Sequence, residues 1–116
     1  MTELTISCRP VGGSTVLTLA GDLDLHTAVE FREFLGQLAL AADDRLVIDM
    51  GGVGFCDSSG IAALLGARNH ALAARAELVL AAVPHHILRI LRLVGLEPVF
   101  VLHATVDAAA VDEREP

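Results

Sequence analysis

The strongest constraint on this chain is an alternation of two periodicities. Short apolar runs and segments of helical spacing take turns along it. Leu46-Val47-Ile48 is wholly apolar and ends at Asp49, as suits a central strand buried on both faces. Gly51-Gly52-Val53-Gly54 is expected to break that strand. Asp57 or Ser58 can then cap a helix rich in Ala and Leu that runs to about Arg75. Leu78-Val79-Leu80-Ala81-Ala82-Val83 repeats the buried-strand pattern. Pro84 suits the first turn of a third helix, with Ile87, Leu88, Leu91 and Val94 as its apolar stripe, Arg89 and Arg92 off it, and Gly95 as its stop. Val99-Phe100-Val101-Leu102 reads as a last strand, and Val106 to Val111 as a short closing helix.

The N-terminal part carries a different period. Leu4-Thr5-Ile6-Ser7-Cys8 alternates apolar with polar residues, and Thr15-Val16-Leu17-Thr18-Leu19 is a second strand. Arg9-Pro10-Val11-Gly12-Gly13-Ser14 joins them as a hairpin, with Cys8 expected in the core. Thr27 and Glu30 have the spacing of a capping box, followed by Phe31, Phe34, Leu35 and Leu38 at helical intervals. Asp22 to Asp24 then form a strand-to-helix loop. A hairpin feeding successive βα units implies right-handed crossovers and a mostly parallel sheet. The expected fold is a small α/β domain with a mixed sheet and about four helices.

Composition narrows the functions open to such a domain. The chain has 116 residues, 53% hydrophobic and 20% charged, which excludes a disordered chain and allows one core. Its net charge is −7, and all its basic residues are Arg. That balance argues against a nucleic-acid or anionic-lipid surface. No apolar run reaches the ~18 residues of a membrane span, and Met1-Thr2-Glu3-Leu4 opens no secretory signal. A cytoplasmic protein is expected. Residues 1–111 read as one domain, and Asp112-Glu113-Arg114-Glu115-Pro116 as an acidic, frayed tail.

Chemistry concentrates in Asp49 to Ile61. A buried strand runs out, glycines follow, and Asp57, Ser58 and Ser59 open a helix, where free amides and the helix dipole favour negative charge. The plain alternative is an ordinary cap with two hydroxyls. Ser58 has no neighbouring base and lies outside a G-x-S-x-G elbow, so hydrolysis is not expected. Adjacent His85 and His86 point in different directions on a helix, and His26, His70 and His103 share no ligand spacing, so no metal is expected. Cys56 beside the serines is either redox-sensitive or a small buried hydrophobe. The glycine run lacks the Lys-Ser/Thr of a phosphate loop.

Gly21-Asp22-Leu23-Asp24-Leu25-His26-Thr27-Ala28, Val47-Ile48-Asp49-Met50, Phe55-Cys56-Asp57-Ser58-Ser59-Gly60-Ile61 and the segment Ala81 to Leu96 together resemble STAS-domain proteins over nearly the whole chain. The likeness is to bacterial anti-sigma factor antagonists of the sporulation and general-stress type. It implies a STAS-like fold and a protein-binding switch that is not an enzyme and carries no cofactor. Ser58 matches the serine phosphorylated in that family. The implied partners are an anti-sigma factor that is itself a serine kinase and a PP2C-type phosphatase that restores the hydroxyl. The bare form would bind the kinase and free sigma factor. Asp24, His26, Thr27, Asp57, Ser58, Ser59 and Gly60 fall at the implied partner-binding positions. Cys56 replaces a common Met and Asp22 a common Glu, and neither change removes the acceptor. The alternative is a non-switching STAS scaffold, or a transport-complex subunit that binds a partner or a small anionic ligand.

Overall fold

In the computed structural model, which describes residues 3–110, five strands stand side by side in their order along the chain. β1 (Leu4–Val11) pairs antiparallel with β2 (Ser14–Leu23); β3 (Arg45–Cys56), β4 (Glu77–Ala81) and β5 (Val101–His103) continue parallel to β2. Helices α1 (Leu25–Gly36), α2 (Ser58–Ala73) and α3 (His85–Leu93) fill the crossovers, and α4 (Val106–Ala110) closes the described chain. Sequential strand order with crossovers of one hand puts all three crossover helices on one face. There Phe31, Leu35, Leu64, Ala67, Ile87 and Leu91 pack on Leu17, Leu19, Leu46, Ile48 and Leu80. The short α4 covers part of the other face, setting Ala109 against Val16, Val47 and Val79. Its end is held by Arg45, which donates to the Ala109 carbonyl at 2.7 Å, and by Ser14, which donates to Ala110 at 3.1 Å.

The hairpin is tighter than its sequence implied. β1 extends through Arg9, Pro10 and Val11, so that Val11 pairs with Ser14 and only Gly12-Gly13 turn. Both glycines have positive φ, the requirement of a two-residue turn between twisted strands. Cys8 is exposed and not in the core. It sits opposite the buried Leu17, but β1 is the outermost strand, and among the described residues none buries Cys8.

The glycine run does not end β3; it bends it. Thr18 pairs with Asp49 but Ala20 with Gly52, and Gly21 pairs with Val53 but Asp22 with Phe55. At each step β3 contributes one residue more than β2, a bulge. The buried positions on the helix side therefore fall at Leu46, Ile48 and Met50, then at Val53 and Cys56. Two slipped steps keep the strand's apolar face turned to the core as far as Cys56. β2 likewise runs on to Leu23, through part of the expected loop.

Other boundaries moved by a turn or less. α2 ends at Ala73 and β4 at Ala81. Glu97–Val99 form a 3-10 turn, consistent with the fixed φ of Pro98, and β5 starts only at Val101. In α3, Ile87 and Leu91 are buried and Ile90 packs on the core, whereas Val94, expected in the apolar stripe, caps the helix and is 57% exposed. Arg89 and Arg92 face outward, and Arg92 pairs with Glu97 at 3.1 Å. The tail 112–116 and Val111 lie outside the described residues.

Candidate functional site

Two parallel strands end together, and a helix starts from each. Leu23, the last residue of β2, pairs with Cys56, the last of β3. One residue further, Asp24 caps α1 and Asp57 caps α2. Neighbouring strands lie about 4.8 Å apart, so the two caps are neighbours as well. A hydrogen bond from the Asp57 amide to the Leu23 carbonyl, 3.3 Å, joins them.

Each cap is built differently. Asp24 Oδ1 accepts from the amides of His26 at 3.0 Å and Thr27 at 2.9 Å. Thr27 Oγ1 accepts from the Asp24 amide at 3.0 Å and donates to the Asp22 carbonyl at 2.7 Å. The capping box is thus Asp24 with Thr27, in place of the expected Thr27 with Glu30, and α1 begins a turn earlier. Glu30 instead lies 3.9 Å from His26 on the exposed face of the helix. Asp57 Oδ1 accepts from the Gly60 amide at 3.1 Å. That makes Asp57 the cap and Ser58 the first helical residue, resolving the alternative the sequence left open. Ser58 is exposed, and no hydrogen bond ties its hydroxyl to another described residue. The first amides of a helix have no acceptor within it, so Ser58 stands where added negative charge is best tolerated.

Gly60 explains how α2 can start so close to the sheet. A Cβ there would press on the Leu23 carbonyl oxygen and lie 2.7 Å from Cys56 Sγ. Cys56 fills the space beneath it. Burial, reinforced by the charge of Asp57, pushes its thiol pKa up to about 12. A protonated, covered thiol is a poor nucleophile, which favours the buried-hydrophobe reading over redox sensing.

The site residues named from sequence therefore converge, but in two layers. Thr27 and Gly60 are buried and hold the shape of the site. Asp24, His26, Asp57, Ser58 and Ser59 reach the surface. Two hollows flank Asp57. One is lined by Asp24, Leu25, His26, Val29 and Asp57. The other, of about 280 Å³, lies between α2 and α3 and is lined by Cys56, Asp57, Ser58, Ile61, Ile90, Val94 and Leu96. Neither lining includes an arginine, and both include the carboxylate of Asp57. His86 contacts the Gly54 carbonyl at 3.2 Å and tethers the start of α3 to the bent end of β3. Among the described residues no cluster of three or more His, Cys, Asp or Glu could hold a metal. No helix of the described residues is long and apolar enough to cross a membrane.

Sequence reasoning missed the apolar part of this surface. Leu25 is 70% exposed, and Val29, Phe55 and Val94 are also largely uncovered. A signal existed: Leu25 and Val29 stand four apart, yet off the stripe Ala28, Phe31 and Leu35 that α1 buries. An apolar pair on the polar face of a helix points to a partner rather than to the core.

Comparison with known proteins agrees with this geometry. A family model described as "Mlab, STAS domain" matches residues 7–110. The anti-sigma-F factor antagonist RsfB of Mycobacterium tuberculosis is 28% identical over 112 residues, covering 97% of this chain and 91% of that protein. The crystal structure of an anti-sigma factor antagonist from Mycobacterium paratuberculosis superposes with a TM-score of 0.77 at 24% identity, covering 97% of this chain and 96% of the other. The unphosphorylated form of the anti-sigma factor antagonist SpoIIAA gives 0.69 at 21% identity, covering 90% and 92%.

Proposed function

Because the chain belongs to the STAS-domain family, we propose that it is an anti-sigma factor antagonist switched by phosphorylation of Ser58. In the bare form it binds an anti-sigma factor that is also a serine kinase, and sigma factor is released. The observation that carries this reading is the position of Ser58: an exposed, unengaged hydroxyl on the first residue of α2, lining one partly apolar hollow and next in sequence to Asp57, which also borders a second. The naming of RsfB, similar over nearly its whole length, supports it.

The chemistry asks little of this chain. Ser58 Oγ attacks the γ-phosphorus of ATP held by the kinase. The new O–P bond forms as the bond to the β–γ bridging oxygen breaks, ADP leaves, and the hydroxyl proton passes to a base on the kinase. A PP2C-type phosphatase delivers water to the phosphorus, releases inorganic phosphate and restores the hydroxyl. The antagonist is a substrate and a ligand in this cycle, not an enzyme, and works in the cytoplasm beside the transcription machinery. Its own part is geometric. Asp57 and Gly60 fix the first turn of α2, so that Ser58 is presented on a rigid element. The added phosphate brings about −1.5 to −2 charge to a rim that already carries Asp57, with Asp24 close by.

Ser58→Ala and Ser58→Asp, each measured against purified anti-sigma factor kinases of the source genome, test the reading. Ser58→Ala is expected to bind like the bare protein and to accept no phosphate from ATP. Ser58→Asp is expected to lose binding. Equal binding by both variants would favour the non-switching scaffold instead.

A further inference from the structure

We infer that the hollow between α2 and α3 receives an apolar side chain from the anti-sigma factor, and that phosphate on Ser58 breaks the complex by spoiling that one contact. The inference rests on the reading above and assigns it a mechanism. Asp57 and Ser58 form one rim, Ile61 lies a turn further along α2, and Ile90, Val94 and Leu96 supply the facing wall. Its volume of about 280 Å³ falls below the usual range of small-molecule sites and suits a single large side chain.

Three features favour the anti-sigma factor as the occupant. First, the switch residue itself lines the hollow, so whatever fills it senses the state of Ser58 directly. Second, α3 ends in Leu93 and its cap Val94, 79% and 57% exposed, and Val94 lines this hollow. Adjacent exposed apolar residues at a helix end mark a contact surface better than isolated ones do. Third, Asp57 borders both hollows, and no arginine lines either. A partner that presents an apolar side chain with a cation beside it complements that pairing of apolar wall and carboxylate. Ser58 phosphate would set a strongly hydrated dianion at the mouth of an apolar hollow. Seating a side chain there would then strip water from the charge, a heavy cost without a paired cation. Affinity and discrimination would come from the same contact, with no change of fold.

The test uses the full chain and individually purified anti-sigma factor kinases of the source genome, with a non-hydrolysable ATP analogue so that Ser58 stays bare. Val94→Glu puts a carboxylate at the hollow without touching Ser58, and Val94 is exposed enough for the fold to accept it; an unchanged unfolding midpoint verifies this. Binding is expected to weaken by about 30-fold or more, as for a central contact. Leu72→Glu, at the far end of α2, stays within about twofold. Val94→Met, apolar and adaptable, retains binding within about threefold. Wild-type affinity in Val94→Glu, with binding lost in Ser58→Asp, would overturn the inference and leave the switch reading standing. Undiminished binding by Ser58→Asp, or no binding of the wild type by any of these kinases, would bring down the switch reading and the inference with it. A wild-type homodimer dissociated by Val94→Glu would assign the hollow to a second copy of this chain and equally overturn the inference.

Discussion

Cys56 is buried as a neutral thiol, and that has a measurable consequence at high pH. In the unfolded chain the thiol ionises from its ordinary value of 9.0, whereas in the fold it holds its proton to about 12. Between these values the unfolded state binds fewer protons than the native state, so stability falls as pH rises through the window. The chain contains no Lys and no Tyr, and its one other thiol is Cys8. In a Cys8→Ser background, the urea midpoint is expected to drop between pH 8.5 and 11, and Cys56→Ala to flatten that drop. An equal slope with and without Cys56 would show that the thiol is not buried as described. Gly60 allows a second test at this scale. Gly60→Ala drives a methyl into the Leu23 carbonyl and Cys56 Sγ, and is expected to cost about 1–3 kcal/mol. Gly54→Ala, with open space around the new Cβ, is expected to stay within about 0.5 kcal/mol. Thermal unfolding of the pair checks the contrast.

At the level of elements, the cap of α1 has two separable properties, its hydrogen bonds and its charge. Asp24→Ala removes the side chain that accepts from His26 and Thr27, with an expected loss of about 1 kcal/mol. Asp24→Asn keeps a good cap and removes the charge. It is expected to hold the wild-type unfolding midpoint while weakening kinase binding. Full affinity in Asp24→Asn would confine Asp24 to a structural role. These elements were unequally legible in the sequence. Helical and buried-strand periodicity located α1 to α4 and the cores of all five strands, because apolar spacing reports directly on which face is buried. The reach of β3 was hidden. Its apolar face follows Leu46, Ile48, Met50, Val53 and Cys56, a spacing that matches neither a strand nor a helix once two bulges intervene. Glycines that looked like breakers carry those bulges. Cys8 misled for another reason: alternation gives the face of a strand, but not whether anything covers it at a sheet edge. Of the site, the helix-start residues were readable as caps, and the proposal that Ser58 accepts phosphate rests on family resemblance. The apolar flanks were not seen, because Leu25 and Val94 take their meaning from which helix face the fold leaves open.

For the whole molecule, the question is whether phosphate on Ser58 changes the fold or only its surface. The main core lies under α1, α2 and α3, where Ala63, Leu64, Ala67 and Ala71 anchor α2 to the sheet and Ser58 contributes no buried surface. Negative charge at a helix N-terminus is stabilising by about 0.3–1 kcal/mol, and repulsion from Asp57 and Asp24 acts in the opposite sense through solvent. The two terms are opposite in sign. The small cluster under α4 lies on the other face of the sheet, bound through Arg45 and Ser14, which sit at the strand ends remote from Ser58. Phosphorylated protein is therefore expected to keep its far-ultraviolet circular dichroism and an unfolding midpoint within a few degrees of the bare form. Amide shifts on phosphorylation should be confined to the first turns of α1 and α2 and the end of α3. Shifts spread over β1, β4 and α4 would mean that the phosphate repacks the sheet. The surface account of the switch would then give way to one of two folded states.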